Sequence, residues 1–309
     1  MRRIVATALA AVFVLSAFSY ALSAEKKQYI FGHSPPTMNN PFFMWIENNA
    51  RRTIESNGDK MFTLDPQNDP QKQISQIEDL LTQGIDCMLL CPFDSASIKN
   101  AMVACQKANV PIIIFDTPVL DPQYVETTVA SDNVNAGFVV GEDMKKVLPN
   151  GGKVAILHSP TAQTCVLRVE GFYKSIGDSF EVIGEWDGKG DTAESMMKAE
   201  DVIMGNPDLV AFFCINDPSA IGAVQAVESA KKTGEILVWG VDGAPEAKHA
   251  IKNGRMIGTG AQSPLNIGKI SVEAAYKHLA GEKLPTDTVV PTFIINKDNI
   301  DQFDLDGWQ

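Results

Sequence analysis

Short apolar runs alternate with longer segments of helical periodicity along most of this 309-residue chain, and this alternation restricts its fold more than any other feature. The apolar runs occur at residues 29–31, 61–64, 85–91, 110–115, 154–157, 180–186, 209–215 and 236–241. Turn residues bound each run and a helix-like segment follows it, which is typical of buried parallel strands. A series of about eight βα units can close as one barrel or divide into two doubly wound sheets.

Two segments that interrupt the pattern favour the division into two lobes. The polar stretch at residues 128–133 and the glycine-containing stretch at residues 258–264 lie where crossings between lobes are expected. The helical pattern at residues 267–279 then returns to the first lobe, and residues 289–295 cross once more. We therefore predict an α/β protein with two doubly wound parallel-sheet lobes. The first lobe contains residues 24–131 and 263–290, and the second contains residues 132–262 and 291–309.

Residues 1–23 have the pattern of a secretory signal peptide. Two arginines after Met1 precede an uncharged apolar run, and small residues near its end suit cleavage after Ser23 or Ala24. The run is too short to span a bilayer comfortably. The first cysteine of the chain is Cys87, so no thiol is available for lipid attachment at the cleavage site. We expect a cleaved signal peptide and a protein that is free in the periplasm.

The charge balance excludes several kinds of partner. The chain carries 26 basic and 38 acidic side chains, for a net charge of −12, and removal of the signal peptide takes away two of the arginines. An acidic surface repels phosphate backbones and anionic lipid. We therefore expect neither nucleic acid nor a membrane surface as a partner.

The cysteines are too few and too scattered for a disulfide framework in a chain of this length. Their number is odd, so at least one is unpaired. Most of them sit in or beside apolar runs, which favours buried free thiols. The five are Cys87, Cys91, Cys105, Cys165 and Cys214.

Six short motifs occur in a fixed order along the chain that follows the signal peptide. They are TMNNPFF at 37–43, ASDN at 130–133, RVEGF at 168–172, ND at 216–217 with AIGA at 220–223, GVDG at 240–243, and AQ at 261–262. Their order and spacing resemble those of the ribose-type periplasmic sugar-binding proteins. The resemblance implies the type 1 periplasmic binding protein fold, in which a three-strand hinge joins two doubly wound lobes.

The resemblance also implies a ligand cleft between the lobes. Carried over by motif, its ligand-binding residues are Asn40, Phe42, Phe43 and Asp116 from the first lobe, Arg168, Asn216 and Asp242 from the second, and Gln262 at the second crossing. Aromatic rings suit the C–H faces of a sugar, and carboxylate, guanidinium and amide groups suit its hydroxyls. Polar residues after the carboxyl ends of strands occupy the usual ligand position of open α/β sheets.

Departures from the family pattern concern the identity of the ligand. Cys91 replaces an asparagine, Thr117 replaces an arginine and Pro36 replaces a serine. Trp186 and His158 are additional candidate contacts from the second lobe. The ligand is expected to be a small neutral sugar or polyol, and ribose, another pentose, a hexose and an acyclic polyol remain open.

An enzyme and a DNA-binding repressor of the same fold are the competing classes. The chain has no phosphate-binding loop and no nucleophile-elbow motif, and its four histidines show no metal-ligand spacing. A signal peptide stands where a repressor needs a helix-turn-helix. We expect no enzymatic activity, cofactor or metal. We expect a monomer whose partner is an inner-membrane ABC permease. A chemoreceptor that recognises the same surface of the protein remains an alternative partner.

Overall fold

The computed structural model describes residues 27–309. The predicted signal peptide, residues 1–23, and the two expected cleavage sites after Ser23 and Ala24 lie outside the described residues. The described chain forms two six-stranded sheets with helices packed against them. This confirms the predicted α/β class with two doubly wound sheets.

Twelve strands and nine α-helices alternate through residues 27–309. The strands are β1 (Ile30–Ser34), β2 (Lys60–Thr63), β3 (Cys87–Leu90), β4 (Ile112–Phe115), β5 (Thr127–Ser131), β6 (Gly152–His158), β7 (Phe180–Asp187), β8 (Leu209–Cys214), β9 (Leu237–Asp242), β10 (Gly258–Ala261), β11 (Asp287–Val290) and β12 (Phe293–Asn296). The helices are α1 (Pro41–Ser56), α2 (Pro70–Thr82), α3 (Lys99–Lys107), α4 (Asn133–Val147), α5 (Gln163–Ile176), α6 (Thr192–Gly205), α7 (Asp217–Ser229), α8 (Pro245–Lys252) and α9 (Pro264–Leu279).

Each sheet is the centre of one lobe. The first has the strand order β11-β5-β4-β3-β1-β2, with every neighbouring pair parallel. The second has the order β12-β10-β9-β8-β6-β7, and only β12 runs antiparallel to its neighbour, β10. Helices α1, α2, α3 and α9 pack in the first lobe, and α4 to α8 pack in the second.

The chain passes between the two sheets at three places. It leaves β5 of the first sheet to enter α4 of the second lobe, and it leaves β10 of the second sheet to enter α9 of the first. Residues 291–292 make the third passage, from β11 to β12. The run at residues 289–295, expected to be a single crossing segment, is thus two short strands that belong to different sheets.

Alternating burial explains why each sheet accepts helices on both faces. In β3, Cys87 and Leu89 join one apolar cluster with α1 and α9, whereas Met88 and Leu90 join another with α2 and α3. Successive side chains of a strand point to opposite faces, so a strand buried on both sides must be apolar throughout. Two further clusters cover the faces of the second sheet in the same way.

No helix within residues 27–309 is long and apolar enough to cross a membrane. All five cysteines are buried and none is bridged to another, which agrees with the expectation of buried free thiols.

Candidate functional site

A cavity of about 520 Å³ lies between the two lobes. Residues that follow the carboxyl ends of strands in both sheets line it, including Asp116 after β4 and Asn216 after β8. The parallel strands of each lobe end at the same edge of their sheet, so their following side chains converge there. The structure brings nine of the twelve predicted site residues to this cavity. They are Asn40, Phe42, Phe43, Asp116, Thr117, Arg168, Asn216, Asp242 and Gln262.

The start of α1 presents the aromatic wall of the first lobe. The Asn40 side chain accepts a hydrogen bond from the Phe42 N–H at 3.0 Å and so caps the helix. Pro41 follows at the first helical position, where its missing N–H costs nothing. Phe42 and Phe43 meet edge to face, with ring centroids 5.4 Å apart. The cap therefore fixes the position of two rings at the cavity wall.

Asp116 is a buried carboxylate with one unused oxygen. Its Oδ2 accepts hydrogen bonds from Thr117 Oγ1 at 3.0 Å and from Cys91 Sγ at 3.8 Å. Its Oδ1 has no hydrogen-bond partner among the described residues. Burial raises the pKa of Asp116, against the opposing effect of Arg168. Cys91 does not line the cavity; it lies behind Asp116, and burial raises the pKa of its thiol well above the ordinary value, so the thiol acts as a donor.

Arg168 of α5 is the cation at the centre of the site and is only 4% exposed. Its Nε donates to Asn133 Oδ1 at 2.9 Å, and its Nη1 donates to the Ile215 carbonyl at 2.7 Å. The same Nη1 is 3.5 Å from Asp242 Oδ1. The guanidinium is thus held by groups from α4, from the end of β8 and from β9.

Asp242 ends β9 in a buried acidic cluster. Its Oδ1 accepts a hydrogen bond from Gln262 Nε2 at 2.7 Å, and its Oδ2 lies 3.4 Å from the backbone N of Asp217. Asp217 accepts hydrogen bonds from Thr259 Oγ1 at 2.7 Å and from the Ala244 N–H at 2.8 Å. Burial raises the pKa of both carboxyls, and the charge of Asp217 raises the pKa of Asp242 further.

Asn216 positions a loop as well as lining the cavity. Its Oδ1 caps α7 by accepting the Ser219 N–H at 2.9 Å, and its Nδ2 donates to the Gly190 carbonyl at 2.9 Å. Lys189, Gly190 and Asp191 of that loop are themselves part of the cavity lining. The loop at residues 189–191 thus forms one edge of the site.

His158 and Trp186 lie outside the cavity lining. The Nε2 of His158 is 3.8 Å from Glu185 Oε2, and burial lowers the pKa of the imidazole. Trp186 packs against the apolar cluster on one face of the second sheet. Both residues are in β6 or β7, but their side chains serve the second lobe rather than the cleft.

Sequence reasoning missed several residues at the cavity. Asp217 lines the cavity but is not among the residues predicted for the site, although its position in a motif beside Asn216 indicates it. Trp308, Phe93 and Trp45 also line the cavity. Trp308 stands in a tail with no strand or helix pattern, so its position cannot be predicted from the sequence.

The site contains three buried carboxyls around one guanidinium. Arg168 interacts electrostatically with each of Asp116, Asp217 and Asp242. A further buried anion would meet this surplus of buried acids, which the one buried cation does not neutralise, at considerable cost. Such a cavity, with aromatic rings on one wall and hydrogen-bonding groups around it, suits an uncharged polyhydroxylated molecule. Within residues 27–309, no group of three or more histidine, cysteine, aspartate or glutamate side chains could hold a metal ion.

Comparison with known proteins identifies relatives over most of the chain. A family model described as a periplasmic binding protein domain matches residues 31–283. The ribose import binding protein RbsB of Bacillus subtilis is 35% identical over 270 residues, which are 87% of this chain and 88% of that protein. RbsB of Escherichia coli is 32% identical over 250 residues, which are 80% of this chain and 84% of that protein.

Solved structures share the fold closely. An ABC transporter solute binding protein from Mycobacterium smegmatis with bound glycerol has a TM-score of 0.85 and 26% identity, covering 89% of this chain and 96% of that one. A solute binding protein from Bacillus halodurans with bound myo-inositol has a TM-score of 0.84 and 25% identity, covering 91% of this chain and 98% of that one.

Proposed function

This chain belongs to the periplasmic binding protein domain family, and on that premise we propose that it is the solute-binding component of an ABC-type importer. Its ligand is a neutral monosaccharide or polyol that binds in the cavity between the lobes. Relatives named for ribose import and structures with bound glycerol and myo-inositol support this ligand class. Enzymatic activity is not part of the proposal, because the relatives are binding proteins.

The observation that carries the proposal is the placement of Arg168 among three buried carboxyls beside Phe42 and Phe43. The rings offer an apolar face to one side of a sugar, and the charged groups offer acceptors and donors to its hydroxyls. The acidic surplus selects against phosphorylated or carboxylated ligands.

Closure of the lobes is the mechanism that we propose. A ligand that contacts residues of both lobes binds the closed form more tightly than the open form and shifts the population toward it. An inner-membrane ABC permease then recognises the surface of the closed form. We propose that the protein acts as a monomer in the periplasm and reaches it by cleavage of the signal peptide before Ala24 or Glu25. A chemoreceptor is an alternative partner for the same surface of the closed form.

A thermal-shift screen of the exported form, beginning at Ala24, tests the proposed function. The panel contains ribose and other pentoses, hexoses, myo-inositol and linear polyols, each with a phosphorylated or carboxylated counterpart where one exists. We expect at least one neutral compound to raise the unfolding midpoint strongly, since a ligand that binds only the folded protein stabilises it by mass action. Isothermal titration calorimetry then gives its affinity.

The matched charged compounds are the control. A sugar phosphate that binds tightly while no neutral sugar or polyol binds would contradict the proposed ligand class. A panel in which no compound shifts the midpoint would contradict sugar and polyol binding altogether.

A further inference from the structure

We propose that Trp308 in the C-terminal tail is a ligand-contacting residue that limits the size of the ligand. This inference rests on the proposed function, because it assigns a new wall to the same cavity. The tail is defined here as residues 303–309, which follow the short 3-10 helix Ile300–Gln302.

The tail is fixed to the second lobe by a buried lysine. Lys248 of α8 is 1% exposed, and its Nζ donates to the carbonyl of Asp304 and, at 2.6 Å, to that of Gly307. Lysine is rarely buried without partners, so these two carbonyls account for its position. His249 adds a contact at 2.8 Å to the carboxyl of Asp306. The tail therefore has a defined path rather than a free end.

The last two residues leave the second lobe and reach both walls of the cavity. The ring of Trp308 is 9% exposed, joins the apolar cluster of the first lobe and meets Phe42 edge to face at 5.6 Å. Gln309 Nε2 donates to the backbone carbonyls of Asp242 at 3.1 Å and Gln262 at 2.6 Å. The tail thus contacts three residues of the candidate site.

Gly243 makes room for this arrangement. It has a φ of +77°, in the left-handed region that favours glycine, and a Cβ at this position would lie 2.2 Å from Gln309 Nε2. A side chain at position 243 would displace the end of the Gln309 side chain from the Asp242 and Gln262 carbonyls, and it would also crowd Ala261, whose Cβ is 2.9 Å away. This contact connects a motif of the cleft with the end of the chain.

The chemistry of Trp308 suits a sugar or polyol. Its ring lines the cavity with Phe42 and Phe43, so three aromatic rings surround one region of the cleft. The indole Nε1 has no hydrogen-bond acceptor within residues 27–309. A buried tryptophan N–H usually has an acceptor. A ligand hydroxyl at the edge of the ring supplies that acceptor, and the ring adds to the apolar wall that Phe42 and Phe43 form.

Substitution of Trp308 tests the assignment. We expect Trp308→Ala to weaken the ligand that the parent binds best by about tenfold or more, since an aromatic wall and a hydrogen bond are both lost. The substitution also enlarges the cavity. We therefore expect the affinity for hexoses and myo-inositol to rise relative to the affinity for pentoses and short polyols. Trp308→Phe keeps the ring and loses the N–H, so its effect should be intermediate. This second variant keeps the test valid if the alanine variant does not fold.

Phe303→Ala is the matched control. Phe303 is in the same tail and stacks on Phe293 at 5.6 Å, but it does not line the cavity. We expect it to lower the unfolding midpoint and to leave the order of ligand affinities unchanged. If the parent binds a compound of the panel and both Trp308 variants bind every ligand within about twofold of the parent, the inference is overturned while the proposed function stands. If the parent binds no compound, both are overturned.

Discussion

At the scale of the residue, the unusual feature is a set of acids that are buried before any ligand arrives. Asp116, Asp217 and Asp242 are each at most 4% exposed, and burial is the largest cause of the raised pKa of each. Arg168 offsets only part of that cost, because one guanidinium faces three carboxyls. The buried carboxyls of the candidate site therefore lower the stability of the ligand-free protein.

This arrangement predicts that the ligand-free protein becomes less stable as the pH rises, the opposite of what carboxylates with lowered pKa values produce. A carboxyl whose pKa is raised on folding binds its proton more tightly in the folded state, so it adds stability at low pH and loses it as the pH rises. The pKa of Asp242 is raised to about 8, whereas an unfolded aspartate titrates near 4. We expect the unfolding midpoint to fall between about pH 5 and pH 8, by about 2 °C or more, and Asp242→Asn to reduce that fall. Differential scanning calorimetry without ligand measures it.

The same substitution separates stability from binding. Asp242→Asn keeps the shape of the side chain. At pH values where Asp242 is ionised, it removes a charge-assisted hydrogen bond worth about 1.5 to 3 kcal/mol, which corresponds to about 10- to 150-fold weaker ligand binding. We therefore expect a more stable ligand-free protein at about pH 8 that binds its ligand poorly. Asp178→Asn, at an exposed position, is the control and should change neither property. A variant that loses stability and keeps its affinity would make Asp242 a structural residue only.

At the scale of the element, the helix pair that carries Arg168 depends on two glycines. A Cβ at Gly171 of α5 would lie 1.9 Å from the Val134 carbonyl oxygen, and a Cβ at Gly137 of α4 would lie 1.8 Å from the Arg168 carbonyl oxygen. Backbone atoms cannot move aside as the end of a flexible side chain can. The close approach of α4 and α5 is thus part of what places the guanidinium.

We predict that Gly171→Ala separates this helix pair. The added methyl should cost about 1 to 3 kcal/mol, the usual range for overpacking, and it should weaken ligand binding because Arg168 lies one turn away. Gly205→Ala is the matched control: this glycine is also helical, has no neighbour within 4 Å of its Cβ position, and should be neutral or slightly stabilising. Urea unfolding and calorimetry compare the two. Equal stability of both variants would show that the helices can separate without cost.

Some of these elements and site residues can be predicted from the sequence, and others cannot. The apolar strands and the residues after them were predictable, because burial on both faces demands continuous apolar runs and parallel strands end at one edge. The resemblance to the sugar-binding family implies Phe42, Asp116 and Asp242, and for the two aspartates the strand-end rule agrees. The position of the tail cannot be predicted in this way, because the path of Trp308 depends on Lys248, a distant residue whose burial has no periodic signature. Trp186 was an aromatic at a strand end, and only packing could show that it faces the second-lobe core.

At the scale of the whole molecule, the lobes touch each other both at the cavity lining and outside it. The Ser95 N–H of the first lobe donates to the Thr161 carbonyl at 3.1 Å, and the Gln163 N–H of the second lobe donates to Ser95 Oγ at 3.2 Å. Thr117 Oγ1 and Thr164 Oγ1, which both line the cavity, are 3.4 Å apart across the same gap. The contacts of Ser95 join the lobes away from the lining, so we expect them to favour the closed form and to contribute to ligand affinity without touching the ligand.

Ser95→Ala tests this contribution. Ser95 is not among the residues that line the cavity, and the substitution leaves its backbone bond to Thr161 intact. It removes the acceptor of the Gln163 N–H and, within the first lobe, the donor to the Pro118 carbonyl at 2.9 Å. Only the bond from Gln163 joins the lobes, and its loss, about 0.5 to 1.5 kcal/mol, should weaken ligand binding about two- to tenfold. The change should appear mainly as faster dissociation, because the closed form is destabilised and the open form that captures ligand is not. Stopped-flow displacement measures the rate, with Ser97→Ala in the same segment as the control. Equal dissociation rates for the two variants would mean that the Ser95 contact does not hold the lobes together around the ligand.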